Sequence, residues 1–321
     1  MASDCVSPTE RARPDAAAER APLFRRPRSV AAVPVVFLGL GLYRAWIEIV
    51  FVGTFVVFPA ATVSARDLFD WTMVVTALGC TLLARRIGPF FDKRWPFVLG
   101  SAMLVASTTL MFASCWVASL AAWAGYAAAV AGGFGIALVI LTWSELYGCL
   151  NPLRVALYYS ASIVAGAVVL YVYRGFMLPW LFVMTALLPP LSFWAASRGF
   201  AHLPPQERPA TAWTRFSVPW KAVLFMAAYA FGYGLMEHGM YGGVFGPHSA
   251  PGAVLVAVLV FVGVSFQGGR FDFSLIYRFA LPLIVAALFL VPVFGGTQNY
   301  AAGFCMAAAY TAQSILIMLI C

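Results

Sequence analysis

The sequence predicts an all-α integral membrane protein, a polytopic bundle of about ten transmembrane helices. Three observations lead there. Of the 321 residues, 63% are hydrophobic and only 10% charged, with a mean hydropathy of +0.89. A soluble domain is about half apolar and a quarter charged, and no soluble surface could hide this much apolar area from water. The apolar residues also come in continuous runs of about 20, the length that crosses a hydrocarbon core as a helix. Runs such as 98–110 do not alternate as the strands of a membrane barrel must. Lastly, the basic residues sort by loop.

The elements follow in order. Residues 1–29 are polar and rich in Ala, Pro and Arg, the composition of a disordered tail. The next apolar run exceeds the roughly 7–15 residues of a signal-peptide core and carries Arg44 and Glu48 at its middle, so it reads as the first span. Spans are expected at about 30–58, 68–84, 96–117, 120–143, 153–173, 177–197, 219–241, 251–268, 275–294 and 299–321. The longest internal polar stretch, 198–218, holds Pro204, Pro205 and Pro209. It separates a first membrane half, 30–197, from a second, 219–321, which has fewer spans.

With the N-terminus inside, 17 of the 20 Lys and Arg fall in loops on the inner side; Arg66 and Arg174 fall outside and Arg44 lies within a span. Basic loops face the cytoplasm, so the expectation is a multi-pass protein of the inner (plasma) membrane with a cytoplasmic N-terminus. The net charge of +8 is thereby assigned to the anionic leaflet. It forms no basic face or stripe, so these residues are expected to bind no nucleic acid themselves; the lipid bilayer is the partner. The six cysteines include no CxxC pair, which supports neither a disulfide framework nor a zinc site and suits small buried hydrophobes.

Two loops carry a repeated signature. Gly88 and Asp92, followed by Lys93, lie between the second and third spans; Gly268 and Asp272 lie in the corresponding loop of the second half. Each pair encloses three residues. This resembles the cytoplasmic loop motif of the major facilitator superfamily of transporters, although Trp95 stands where that pattern has a second Gly. The resemblance implies a twelve-span fold of two halves with a central cavity, of which this chain would hold six spans and then four, ending early at Cys321. The segment 38–53, LGLGLYRAWIEIVFVG, resembles the opening helix of LuxR-type regulators of actinobacteria, which place a facilitator-like membrane domain before a helix-turn-helix. That resemblance implies a membrane-embedded sensor of a small molecule, with its DNA-binding part outside these residues.

Ionisable groups at membrane depth are costly and usually face a cavity or a partner. Arg44 and Glu48 are four residues apart and share a helix face, with Tyr43 beside them. They read either as a ligand site or as a self-neutralised structural pair. Tyr229, Tyr233, Glu237 and His238 lie on the seventh span, pseudo-equivalent to the first by the resemblance, and read as further cavity groups or as an interfacial belt. Glu145, at the inner end of the fourth span, is a candidate partner for Arg85, Arg86 or Arg154 in an inner latch with the two Gly-xxx-Asp loops. Gly132, Gly133 and Gly135 suit close packing or local unwinding. HExxH, GxSxG, Walker A and nucleotide-binding patterns are missing, so neither an enzyme nor a bound cofactor or metal is expected. Two functions stay open: the sensor, and a secondary transporter of a small solute.

Overall fold

The computed structural model describes residues 33–52, 56–204, 207–208, 224, 227, 231, 251–294 and 300–320. Among these, every regular element is helical. In chain order they are α1 (Val35–Val52), α2 (Val63–Leu82), α3 (Trp95–Trp116), α4 (Ala121–Gly148), α5 (Pro152–Tyr173), α6 (Leu178–His202), α7 (Pro251–Gln267), α8 (Ser274–Phe294) and α9 (Tyr300–Ile320).

Six helical segments among the described residues are long and apolar enough to cross a membrane: α1, α3, α4 with its lead-in turn, α5, α6 and most of α9. The chain is therefore a helical, multi-pass membrane protein. Helix α7 and the described apolar part of α8 are shorter. Helix α2 is long enough but carries Arg66, Asp67 and Asp70 in its first turns, and Arg66 pairs with Asp70 at 3.8 Å. The expected span at 219–241 lies almost entirely outside the described residues. Helices α4 and α6 run past the predicted ends of their spans, to Gly148 and His202, because no helix-breaking residue stands at 143 or 197.

Local chemistry explains the helix starts. Thr62 Oγ1 accepts from the Ala65 N–H at 3.2 Å and caps α2, and Asn151 Oδ1 accepts from the Leu153 N–H at 3.0 Å and caps α5. These are side-chain acceptors for amides that have no helical partner. Proline opens α3, α5 and α6, where its missing N–H costs nothing.

Lipid tails are as apolar as leucine, so close packing and hydrogen bonds rather than water exclusion hold such helices together. Helix α1 lies against α5 and α6, α4 packs on α2 and α3, and α5 and α9 meet α7. At the α1–α5 crossing a Cβ on Gly41 would collide with the Ser162 carbonyl and one on Gly166 would come to 2.7 Å from the Gly41 carbonyl; only glycine lets these backbones touch. Gly132, Gly133 and Gly135 do the same for α4, against Phe51, the α2 backbone and Leu104 respectively, and α4 stays helical throughout. Trp46, Trp143, Tyr147, Phe69 and Phe112 are fully buried, while Trp71, Trp123, Tyr171, Trp180 and Phe266 point outward. In water that exterior would aggregate; acyl chains are its natural solvent.

Candidate functional site

Helix α1 carries the candidate residues Tyr43, Arg44 and Glu48, and it is irregular along its length. It begins as a 3-10 turn (Val35–Leu38), becomes α-helical over Gly39–Ile47 and widens to a π-helix over Glu48–Val52. Its first carbonyls are held by neighbours: Tyr147 Oη donates to the Phe37 carbonyl at 3.2 Å and Ser192 Oγ to the Gly39 carbonyl at 2.8 Å. Trp143 Nε1 donates to Ser192 Oγ in turn, at 3.1 Å. Further along, Trp46 Nε1 donates to Thr108 Oγ1 at 2.7 Å. The segment is thus pinned from α3, α4 and α6, and the π turn follows directly. Such π turns are frequent at functional sites.

Arg44 and Glu48 flank the start of that turn, and both are buried, at 8% and 1% exposure. Arg44 sits over the face of Tyr159 on α5, with Cζ 5.7 Å from the ring centroid, an attraction between a cation and the negative ring face. Tyr43 on α1 and Tyr310 on α9 also lie within electrostatic reach of its guanidinium. Arg44 Nη1 is buried and has no hydrogen-bond partner among the described residues. A guanidinium offers five donors and no acceptor, and an unmatched donor buried in low dielectric is costly. A cavity of about 10 Å³ opens beside Arg44 and Glu48, walled by Ile163, Gly166 and Leu170. That is room for a single water.

Of the residues expected at a site, three lie together on α1. Arg44 and Glu48 share a helix face and Tyr43 is the residue before Arg44, and the structure adds Tyr159 from α5 and Tyr310 from α9. A tyrosine two or three turns into a span gives no signal of what it will face. Tyr229, Tyr233, Glu237 and His238 lie outside the described residues. No group of three or more His, Cys, Asp and Glu that could hold a metal is found among the described residues.

The first Gly-xxx-Asp loop is built differently from a latch of opposite charges. Lys93 Nζ donates to the carbonyls of Arg86, Ile87 and Gly88, at 3.2, 2.5 and 3.2 Å, so its ammonium terminates the short helix Ala84–Ile87 and folds the loop on itself. Glu145 does not pair with Arg86 or Arg154. Its Oε2 accepts from the Phe90 N–H at 2.8 Å, while Arg154 lies 3.8 Å from Glu207. The loop doubles back over the end of α4, and its backbone amide reaches the carboxylate where the long basic side chains remain on the solvent side. Asp92 is exposed and makes no ion pair among the described residues.

In the second loop Gly268 takes a left-handed φ of +52°, a conformation glycine adopts without strain. Asp272 is exposed and accepts from the Ser274 N–H at 2.9 Å and from Ser274 Oγ at 2.6 Å. These bonds, with help from Arg278, hold its carboxyl below the usual aspartate range. Asp272 is thus the capping group at the start of α8. The two loops share a spacing but their carboxylates differ, since Asp272 caps α8 whereas Asp92 makes no ion pair among the described residues. No protein-family model matches the chain, and no curated protein matches it either.

Proposed function

We propose that this chain is the small-molecule-sensing membrane domain of a LuxR-type transcriptional regulator, with its DNA-binding part outside these residues, and that its ligand is read by Arg44, Glu48 and the tyrosines around them. The observation that carries the reading is the buried Arg44 Nη1, a donor with no protein partner among the described residues, beside a π turn in the middle of a membrane helix. An acceptor on a ligand satisfies it and offsets the desolvation that burial imposes. The way Lys93 and Glu145 are spent on loop backbone supports a sensor over a pump, because alternating access needs a cytoplasmic contact that breaks and reforms. The repeated Gly-xxx-Asp spacing favours a second reading, a facilitator-type secondary transporter of a small solute.

Reading the natural gene beyond the codon for Cys321 separates the two. An in-frame helix-turn-helix is the expected result; two further spans followed by a stop would move the assignment to transport, to be assayed by vesicle uptake. In a transcriptional reporter built on the full frame, Arg44→Ala and Glu48→Ala each abolish the response to inducing medium while membrane expression is retained. A wild-type response in both variants would remove the pair from the site.

A further inference from the structure

A second cavity lies away from Arg44. Between α3 and α6 runs an open groove of about 940 Å³. Val98, Ala102 and Val105 on α3 face Pro190, Phe193 and Trp194 on α6 across it. The small side chains Ser101, Ala102 and Ala106 of α3 form its floor, and its walls belong to two membrane-spanning helices. One end is different: the loop residues Asp92, Lys93 and Arg94 form its rim. Arg198, exposed one turn beyond Trp194, stacks over that indole with Cζ 5.7 Å from the ring centroid. Two cations and one carboxylate thus line this end, with a third cation on the adjoining indole. The Lys93 ammonium is engaged by three loop carbonyls, whereas the Arg94 and Arg198 side chains both stand exposed.

An apolar trough at acyl depth with a cationic rim at headgroup depth fits one kind of occupant in a bilayer. The occupant has a hydrocarbon tail, a phosphate and a net negative head. We propose that the groove between α3 and α6 is a binding site for an anionic glycerophospholipid, with an acyl chain along Ala102 and Phe193 and the phosphate-bearing head against Arg94 and Arg198. Guanidinium suits phosphate because its planar fork donates two parallel hydrogen bonds, and basic pockets between membrane helices recognise anionic heads in this way. A zwitterionic lipid brings an ammonium group to the same rim and loses the advantage. The assignment does not depend on what Arg44 binds.

The test uses the full chain in nanodiscs of equimolar phosphatidylglycerol and phosphatidylcholine, with the lipids retained after detergent extraction counted by native mass spectrometry. The expected result is retention of phosphatidylglycerol well above its bilayer share. Arg94→Gln and Arg198→Gln each reduce the preference about five-fold, and Ala102→Trp, at an exposed position inside the trough, lowers total retained lipid. Ala102→Leu serves if the tryptophan variant does not accumulate. Retention of the two lipids in bilayer proportion, or an unchanged preference in the double arginine variant, overturns the assignment. A chain that carries no lipid but travels as a dimer, or whose lipid count ignores Ala102→Trp, overturns it as well, since another copy or another part of the chain then fills the groove.

Discussion

At the residue scale, two buried hydroxyls make opposite predictions. Ser192 joins two partners: it accepts from Trp143 Nε1 and donates to the Gly39 carbonyl. Ser192→Ala strands the indole N–H in a dry interior, and the expected cost is about 1–3 kcal/mol. Thr185, one turn before Pro189 on α6, is fully buried and its Oγ1 has no partner among the described residues. Thr185→Val removes a desolvated hydroxyl and keeps the shape, so stability is expected to stay level or to rise by roughly 0.5–1 kcal/mol. Denaturation in mixed micelles, followed by tryptophan fluorescence, checks both. Equal losses in the two variants would mean that Thr185 does have a bonding partner. The site is only partly visible at this scale. The i, i+4 spacing of Arg44 and Glu48 brings them to one face, a consequence of helix geometry alone. Tyr159 over the guanidinium depends on how α5 rotates against α1, which no local pattern encodes.

At the scale of the element, two features decide behaviour. The α1–α5 crossing rests on backbone contact at Gly41 and Gly166. Gly41→Ala forces the helices apart and is expected to cost about 1–3 kcal/mol, with Gly79→Ala on α2, where a Cβ meets nothing, as the clash-free control that shows the gain in helix propensity alone in the same unfolding assay. The second feature is the start of α8. The Asp272 carboxylate, held below its ordinary range by Ser274, supports the folded helix start at pH values above the unfolded aspartate value of about 3.9. That support is lost as pH falls through the lower folded value. Hydrogen exchange at the first α8 amides is expected to rise in Asp272→Ala at pH 7 and much less in Asp272→Asn, whose side-chain oxygen still accepts. Equal protection in wild type and the alanine variant would show that the cap contributes nothing.

Element existence was the legible part of this fold, because bilayer thickness imposes run length so strictly. Element irregularity was not. The π turn at Glu48–Val52 reads EIVFV, apolar and β-branched like any span; what the sequence does not carry is the set of bonds from Thr108, Ser192 and Tyr147 that fix α1 ahead of it. Glu145 is a related case: it bonds the Phe90 amide, and neither Arg86 nor Arg154, two of the three partners expected for it, pairs with it. Charge pairing is easy to imagine from sequence, whereas the amide of Phe90 becomes available only once the loop has folded back around Lys93. Asp272, a candidate gate group by its spacing, also carries a cap signal, the Ser two residues on that it bonds.

On the whole-molecule scale, the loop charges make a topological prediction. If the basic loops face the cytoplasm, an impermeant maleimide reaches Arg94→Cys only in inside-out vesicles and Arg66→Cys only in intact spheroplasts, in a background freed of native cysteines. The reverse pattern would invert the chain in the membrane. The same sidedness places the rim of the α3–α6 groove in the leaflet richer in anionic lipid.

The cavity beside Arg44 has a consequence in time rather than in space. At about 10 Å³ it has room for a water, so if Arg44 reads a ligand as proposed, that ligand meets its guanidinium only during excursions in which α1 and α5 separate. Association is then gated: its rate saturates at the opening rate instead of climbing with concentration, and apparent affinity scales with the fraction of molecules open at any instant. Whatever loosens the Gly41–Gly166 seam raises that fraction. A destabilised seam variant would therefore respond at lower ligand concentration than wild type, a gain in sensitivity obtained from a loss of packing.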